Sequence, residues 1–257
     1  MTPRPIPVRT ESSLECRNCG AGAPVDDHFC PQCSRILGLG RHGDYFAFFG
    51  LPRRLTLEPQ ALERRFRDLS RKFHPDFYYN ASAAERLASL ERSAYLNDAY
   101  RVLKHAPSRI EYLLSLEGIN QTQASDGGAR VPATLLEEVF ELNEELDAIR
   151  ELRESGADEG ELRARLTAAR VPIDRKREEH ERRLSTLAAQ WDAMEEGPEA
   201  DRRAVLEALA EQLLERNYIH NLLATIEREQ ASMGAERNVT PEAIRVASQP
   251  RDGGRQP

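Results

Sequence analysis

Long apolar runs are missing from this 257-residue chain. No stretch approaches the ~20 consecutive apolar residues that a membrane-spanning helix requires, so no membrane association is expected. Aromatics are scarce, at 6% with a single tryptophan, while charged residues reach 31%. That balance reads as helical with thin cores rather than as one large core. The opening MTPRPIPVRT lacks the apolar segment of a secretory signal and is too short and proline-rich for a transit peptide. An excess of positive charge is also missing. The formal net charge is −7, which argues against general nucleic-acid binding. Beyond residue 33 there is no cysteine at all. The expected location is a reducing interior, in the first place the cytoplasm.

The cysteines that are present are concentrated. Cys16, Cys19, Cys30 and Cys33 form C-x2-C-x10-C-x2-C. Nothing in the sequence indicates the oxidising compartment that a disulfide framework needs. Two paired C-x-x-C turns suit four thiolates placed tetrahedrally on one zinc ion. Gly20, and Pro31 within the second pair, favour the tight turns. Four thiolates close the shell and leave no position for a substrate, so the zinc is expected to be structural, one per chain. His28 is expected to be a surface residue rather than a fifth ligand.

Composition divides the rest of the chain. Residues 1–11 read as disordered, 12–36 as the zinc module, and 37–43 as a glycine-bearing linker. A helical region covers 44–118, a polar linker 119–131, a second helical region 132–232, and a disordered tail 233–257. No tandem repeat of fixed period is present. The first helical region resolves into three helices. Asp44 caps a short one carrying Tyr45, Phe48 and Phe49, stopped by Gly50 and Pro52. The second opens at Pro59 and places Leu62, Phe66, Leu69 and Phe73 on one stripe. Arg64, Arg65, Arg67, Arg71 and Lys72 cover much of its remaining surface. Ser82 and Glu85 form a capping box at the start of the third, which runs to about His105. That helix carries Ala88, Leu96, Ala99, Tyr100 and Leu103 on one face and Leu87, Leu90 and Ala94 on another. The second face is expected to pack against the later helices.

Those later helices have stripes at helical spacing. Leu135, Val139, Leu142, Leu146 and Ile149 form the first. Leu162, Leu166, Ala169 and Ile173, continued by Leu184, Leu187, Trp191 and Met194, form the second. Leu209, Leu213, Leu223 and Ile226 mark the third. Short connections favour an antiparallel three-helix bundle. Pro172 keeps the apolar phase across it, so a kinked single helix is expected there rather than two.

Between the second and third helices stands RKFHPDFYYN, residues 71–80. Pro75 disfavours helical backbone at His74 and ends the helix. A His beside an acid can serve as a general base, but no nucleophile or oxyanion donor accompanies His74 and Asp76. No enzymatic activity is expected. The plain alternative is a helix stop with polar loop residues. The setting says more: a basic amphipathic helix, then His74-Pro75-Asp76, then a capped antiparallel helix ending in NDAYRVL resembles the J-domain. DYFAFFGLPRRLTL (44–57), RIEYLLSLEG (109–118) and VFELNEELDAI (139–149) narrow the likeness to the HscB family of co-chaperones of iron–sulfur cluster assembly, over about residues 44–230.

The resemblance implies an all-α fold, a J-domain hairpin followed by the three-helix bundle. It implies that His74, Pro75 and Asp76 dock on a DnaK/HscA-type chaperone and stimulate its ATPase, with Arg64, Arg65, Arg71 and Lys72 as the basic face. Phe77 stands where many J-domains carry a basic residue. Between 137 and 147 are six acids and no base, with Leu136 and Phe140 off the core stripe. An apolar pair rimmed by acids is a candidate docking patch on physical grounds. In the family the corresponding surface binds the iron–sulfur scaffold IscU. Leu136, Phe140, Glu141 and Glu144 match its pattern, Tyr218 matches an aromatic that completes it, and Glu137 departs from it. The four-cysteine module resembles that of eukaryotic, mitochondrial members, for which the location would be the matrix. Two other readings stay open: a J-domain protein serving a different client, and a zinc-ribbon regulator binding proteins or nucleic acid.

Overall fold

The computed structural model describes residues 13–24, 27–39, 44–119, 131–194 and 198–235. The segment read as disordered at 1–11 lies outside them, as do 120–130 of the linker read at 119–131 and 236–257 of the tail read at 233–257, whereas 233–235 of that tail end the last helix. Among the described residues, two short antiparallel strands, β1 (Ser13–Glu15) and β2 (Gly22–Pro24), precede seven helices. These are α1 (Tyr45–Phe48), α2 (Pro59–Phe73), α3 (Ala83–Lys104), α4 (Ala106–Leu116), α5 (Leu136–Glu154), α6 (Glu159–Ala193) and α7 (Glu199–Ala235). The chain divides into two compact units. One comprises 1–121 with 186–210, and the other 122–185 with 211–257.

The first unit is built on the α2–α3 hairpin. Leu62 and Phe73 from α2 meet Ala88, Leu96, Ala99 and Leu103 from α3, and Phe46 and Phe48 of α1, with Phe49 just after it, close that core. Asp44 caps α1 by accepting from the N–H of Ala47 at 2.8 Å. Both halves of the α3 capping box are made: the N–H of Glu85 donates to Ser82 Oγ and the N–H of Ser82 to Glu85 Oε2. The expected second face of α3 is not covered. Leu87, Leu90 and Ala94 are exposed, so that face needs no partner from this chain.

The sequence reading also missed α4. His105 adopts extended backbone, and Pro107 then sits in the first turn of a new helix, where its missing N–H costs nothing. Arg109 of α4 is buried and donates to the carbonyls of Leu55 (2.8 Å) and Leu103. Trp191 and Asp192, at the end of α6, also belong to this unit. Asp192 accepts from the backbone N–H groups of Leu55 (2.6 Å) and Thr56 (2.7 Å), and Trp191 Nε1 donates to the carbonyl of Arg53. These bonds fix the 51–57 loop, which no helix ladder could satisfy.

In the second unit, Leu135, Leu142, Leu146 and Ile149 pack with Leu162, Leu166, Ile173, Ile219, Leu223 and Ile226. Cross-helix pairs give the directions. Lys176–Glu138 and Arg165–Glu145 set α6 antiparallel to α5; His180–Gln212 and Arg170–Glu227 set α7 antiparallel to α6. Helix α6 continues through Pro172, as the unbroken apolar phase predicts. A buried polar group was not foreseen. His180 Nε2 lies 2.7 Å from the carbonyl of Gln212, whose side chain donates to Glu215.

Candidate functional site

Three features carry chemistry. The first is the cysteine cluster. Cys16 and Cys30 each begin a tight turn of the same form: the N–H of Gly20 bonds the carbonyl of Cys16, and the N–H of Ser34 that of Cys30. Both turns end in left-handed backbone, at Gly20 (φ 71°) and Ser34 (φ 57°). Ser34 is the equivalent that residue type alone does not reveal. The turns bring Cys16 Sγ within 3.6 Å of Cys33 Sγ and Cys19 Sγ within 3.6 Å of Cys30 Sγ, with all four inside 4.8 Å of one another. Thiolates at ~2.3 Å from a tetrahedral zinc would stand ~3.8 Å apart, so the set fits a four-coordinate metal ion. Backbone hydrogen bonding at Arg35 holds the Cys33 thiol down at about 6. Although the Ala21 backbone favours its thiolate, burial and hydrogen bonds with Cys33, Cys30 and Cys16 push Cys19 up to about 12. Crowded thiolates repel one another, and a bound cation reverses that repulsion.

The module does not stand apart on a linker. Ile36 is buried in the core of the hairpin, with Phe29 and Leu39 packed against it. Leu37, read as linker, is buried, and its carbonyl accepts from Arg92 Nε at 2.8 Å. Arg92 of α3 is only 1% exposed. Its guanidinium also donates to the carbonyls of Asp27 and Gly38, both at 3.0 Å, and lies 2.7 Å from His28 Nδ1. His28 is therefore not a surface residue. Its ring lies edge-on to Phe48 and Phe73, with centroids 4.8 and 4.9 Å away. Burial, then the neighbouring Arg92 charge, lowers it to about 4, so at neutral pH the uncharged ring accepts from Arg92. Arg35 Nη1 donates to both carboxylate oxygens of Glu85, at 2.8 and 2.9 Å.

The second feature is the turn after α2. His74 leaves helical backbone (φ −57°, ψ 126°), and Pro75–Tyr78 form one 3-10 turn. His74 Nδ1 accepts from the N–H of Asp76 at 3.3 Å, leaving the Asp76 carboxylate outward with 87% of its side chain exposed. The Tyr78 hydroxyl donates to the carbonyl of Lys72, bracing the turn from its far side. On the preceding helix, Arg64, Arg65, Arg71 and Lys72 are all exposed, though not equally available. Arg65 donates to the carbonyls of Phe49 (2.6 Å) and Gly50 (2.9 Å), and Arg71 pairs with Asp68. Beside the turn lies an open cleft of about 580 Å³ lined by Pro75, Asp76, Tyr79, Asn80, Arg86 and Leu90.

The third feature is the outer face of α5. Leu136 and Phe140, one helical turn apart, are 54% and 63% exposed. Of the six acids there, Glu138 pairs with Lys176, Glu145 with Arg165 and Asp147 with Arg150. Glu137, Glu141 and Glu144 are exposed and pair with no cation among the described residues. Tyr218 is not exposed in the same way. It is half-buried against the core of its unit, with its hydroxyl out of solvent and unpartnered among the described residues.

A basic helix and a capped helix joined by an exposed His-Pro-Asp turn, accompanied by a helical bundle, define a J-domain co-chaperone, a cofactor of a chaperone rather than an enzyme. No family model matches the chain. Among solved structures, human co-chaperone protein HscB is 27% identical with a TM-score of 0.61, the match covering 84% of this chain and 98% of that one. Chaperone HscB from Vibrio cholerae is 31% identical with a TM-score of 0.54, covering 74% of this chain and 99% of that one. This chain belongs to the HscB family.

Proposed function

We propose that this chain is the co-chaperone of an iron–sulfur cluster assembly system, which stimulates a DnaK/HscA-type ATPase and brings it an IscU-type scaffold. His74, Pro75 and Asp76 engage the chaperone, with Arg64, Arg65, Arg71 and Lys72 supplying positive charge. Leu136, Phe140, Glu141, Glu144 and Tyr218 hold the scaffold. Zinc on Cys16, Cys19, Cys30 and Cys33 is structural, since four thiolates complete its shell. The observation that carries the reading is the His-Pro-Asp turn, braced from within while its carboxylate faces outward and pairs with no lysine or arginine among the described residues. An exposed acid at the end of a helix whose Arg64 and Lys72 pair with no acid among the described residues suits a partner that presents both signs of charge. On α5, the exposed apolar pair and its three unpaired acids suit a partner patch that is apolar with a basic rim.

The decisive experiment is His74→Gln. Chaperone ATPase stimulation at saturating co-chaperone is expected to be abolished, with the circular dichroism spectrum unchanged because the His74 side chain is exposed, the stripe of α2 packs without it, and α3 has its own capping box. Undiminished stimulation would remove the assignment. Pull-down of partners distinguishes an iron–sulfur scaffold from another client.

A further inference from the structure

One residue joins the metal module to the turn that reaches the chaperone. Phe73, the last residue of α2, is fully buried and directly precedes His74. Its carbonyl has run out of helix partners. It accepts instead from Ser89 Oγ (2.6 Å) and Ser93 Oγ (3.0 Å) of α3. Its ring is held on one side by Phe48 of α1 and on another by His28 and Phe29, which lie two residues and one residue before the metal ligand Cys30. The Arg92 guanidinium completes the enclosure at 5.8 Å from the ring centroid, and its other acceptors are the module's own carbonyls. The module thus contributes two of the rings that fix the backbone at the start of the His-Pro-Asp turn.

We propose that the metal-bound cysteine module is a positioning device for the chaperone-docking turn: through His28, Phe29 and Arg92 it holds Phe73, so the competence of His74 and Asp76 depends on whether the four thiolates are bound to metal. The cysteine knuckle that bears His28 and Phe29 keeps its shape only while its sulfurs share a cation. Without a shared metal nothing ties the four sulfurs together, the segment bearing both rings moves, and Phe73 loses packing on that side. Helix α2 keeps its stripe on Leu62 and Phe66. The effect is therefore confined to its last turn and to the turn beyond. This inference rests on the chaperone-stimulating role proposed above and names how that role is regulated.

The test uses the full chain in three forms: metal-loaded wild type, the Cys16→Ser/Cys19→Ser double variant, and Arg35→Ala. The last keeps every thiolate and loosens only the docking clamp to Glu85. Hydrogen exchange is read over residues 71–80, where the amides of Asp76, Phe77 and Tyr79 are bonded within the turn. Metal loss is expected to speed exchange there while leaving α5 unchanged, and Arg35→Ala to do the same more weakly with metal retained. Chaperone stimulation at sub-saturating co-chaperone is expected to fall about fivefold or more in the metal-free form, the lower end of ordinary coupling between sites. Unchanged exchange over 71–80 in both variants would overturn the inference. If the double variant loses the J-domain altogether, Arg35→Ala alone decides, because its metal is intact. If the metal-loaded wild type stimulates no DnaK-class ATPase, the proposed function fails, while the exchange arm still reports whether the module positions the turn.

Discussion

Phe140 and Leu142 are two positions apart on α5, and the structure assigns them opposite consequences. Phe140 is 63% exposed and Leu142 is 3% exposed. A phenylalanine buries ~150–250 Å² in full, so about two-thirds of that, on the order of 100–150 Å², remains for a partner. At ~25 cal/mol per Å² this is ~2.5–4 kcal/mol before the costs of ordering and of the alanine that remains. We expect Phe140→Ala to weaken scaffold binding by ~1.5–2.5 kcal/mol, about ten- to sixtyfold at ~1.4 kcal/mol per decade. Its cost to folding should stay below ~1 kcal/mol, since what it loses is area already in water. Leu142→Ala empties a site in the bundle core and should cost ~2–5 kcal/mol of stability. Titration calorimetry with scaffold, beside a thermal melt of each variant, reads both numbers. If Phe140→Ala melts as early as Leu142→Ala, the ring is core and the docking face has been misassigned. If binding is unchanged while the melt is also unchanged, the α5 face does not carry the scaffold.

The cysteine cluster should hold one metal per chain, which elemental analysis of purified protein measures. Gly20→Ala should weaken metal retention against a chelator, because left-handed backbone costs a non-glycine residue ~1–2 kcal/mol, although its added methyl would meet nothing closer than Glu15 Oε1 at 3.8 Å. The hydrogen bonds from Arg35, then from Ser82, hold Glu85 below the ordinary carboxylate range. A depressed acid contributes stability that is complete above its unfolded value of ~4.3 and disappears as pH falls through its lower folded value. Melting temperatures of Glu85→Gln and wild type should therefore differ at pH 7 and converge only as the pH falls through the lowered folded value, beneath which both carry a neutral side chain. Acid loss of metal is common to the two and cancels in the comparison. A difference that stays constant across the whole acid titration would assign the effect to shape rather than to charge.

Periodicity made the helices legible. The stripe Leu62–Phe66–Leu69–Phe73, the Ser82–Glu85 box and the Pro59 start each express a local rule, and each forms as the rule states. The cysteine pairs were legible for a similar reason, since C-x-x-C spacing fixes sulfur positions through a few backbone dihedrals. Helix α4 was lost because its boundary is a single extended residue, His105. A run of helical periodicity on both sides hides such a break unless Pro107 is read as a start rather than an interruption. The inward lean of Tyr218 was not legible, because a residue type that suits a patch does not say which way a half-buried ring points, and its hydroxyl is out of solvent.

The docking of the cysteine module was illegible for a deeper reason. Hydropathy patterns assign charged residues to solvent, and arginine is almost never fully buried without partners. Here the partners of Arg92 are three backbone carbonyls and an uncharged imidazole, none of which has any signature in sequence. Carbonyls 54 to 65 residues away in the chain can satisfy a guanidinium only after the fold has brought them together. Burial pulls Arg92 down to about 10, which leaves it charged at neutral pH, so its desolvation is offset chiefly by those four bonds, with the Phe48 and Phe73 rings beside it. A lysine there would present a point charge in place of a planar fork and could not reach acceptors on several sides. Leucine would instead leave the carbonyls of Asp27, Leu37 and Gly38 buried without donors, each at ~1–3 kcal/mol. The interface is therefore specified by one residue whose type looked like surface, and it is intolerant of the substitutions that hydropathy would rate as conservative or as improvements.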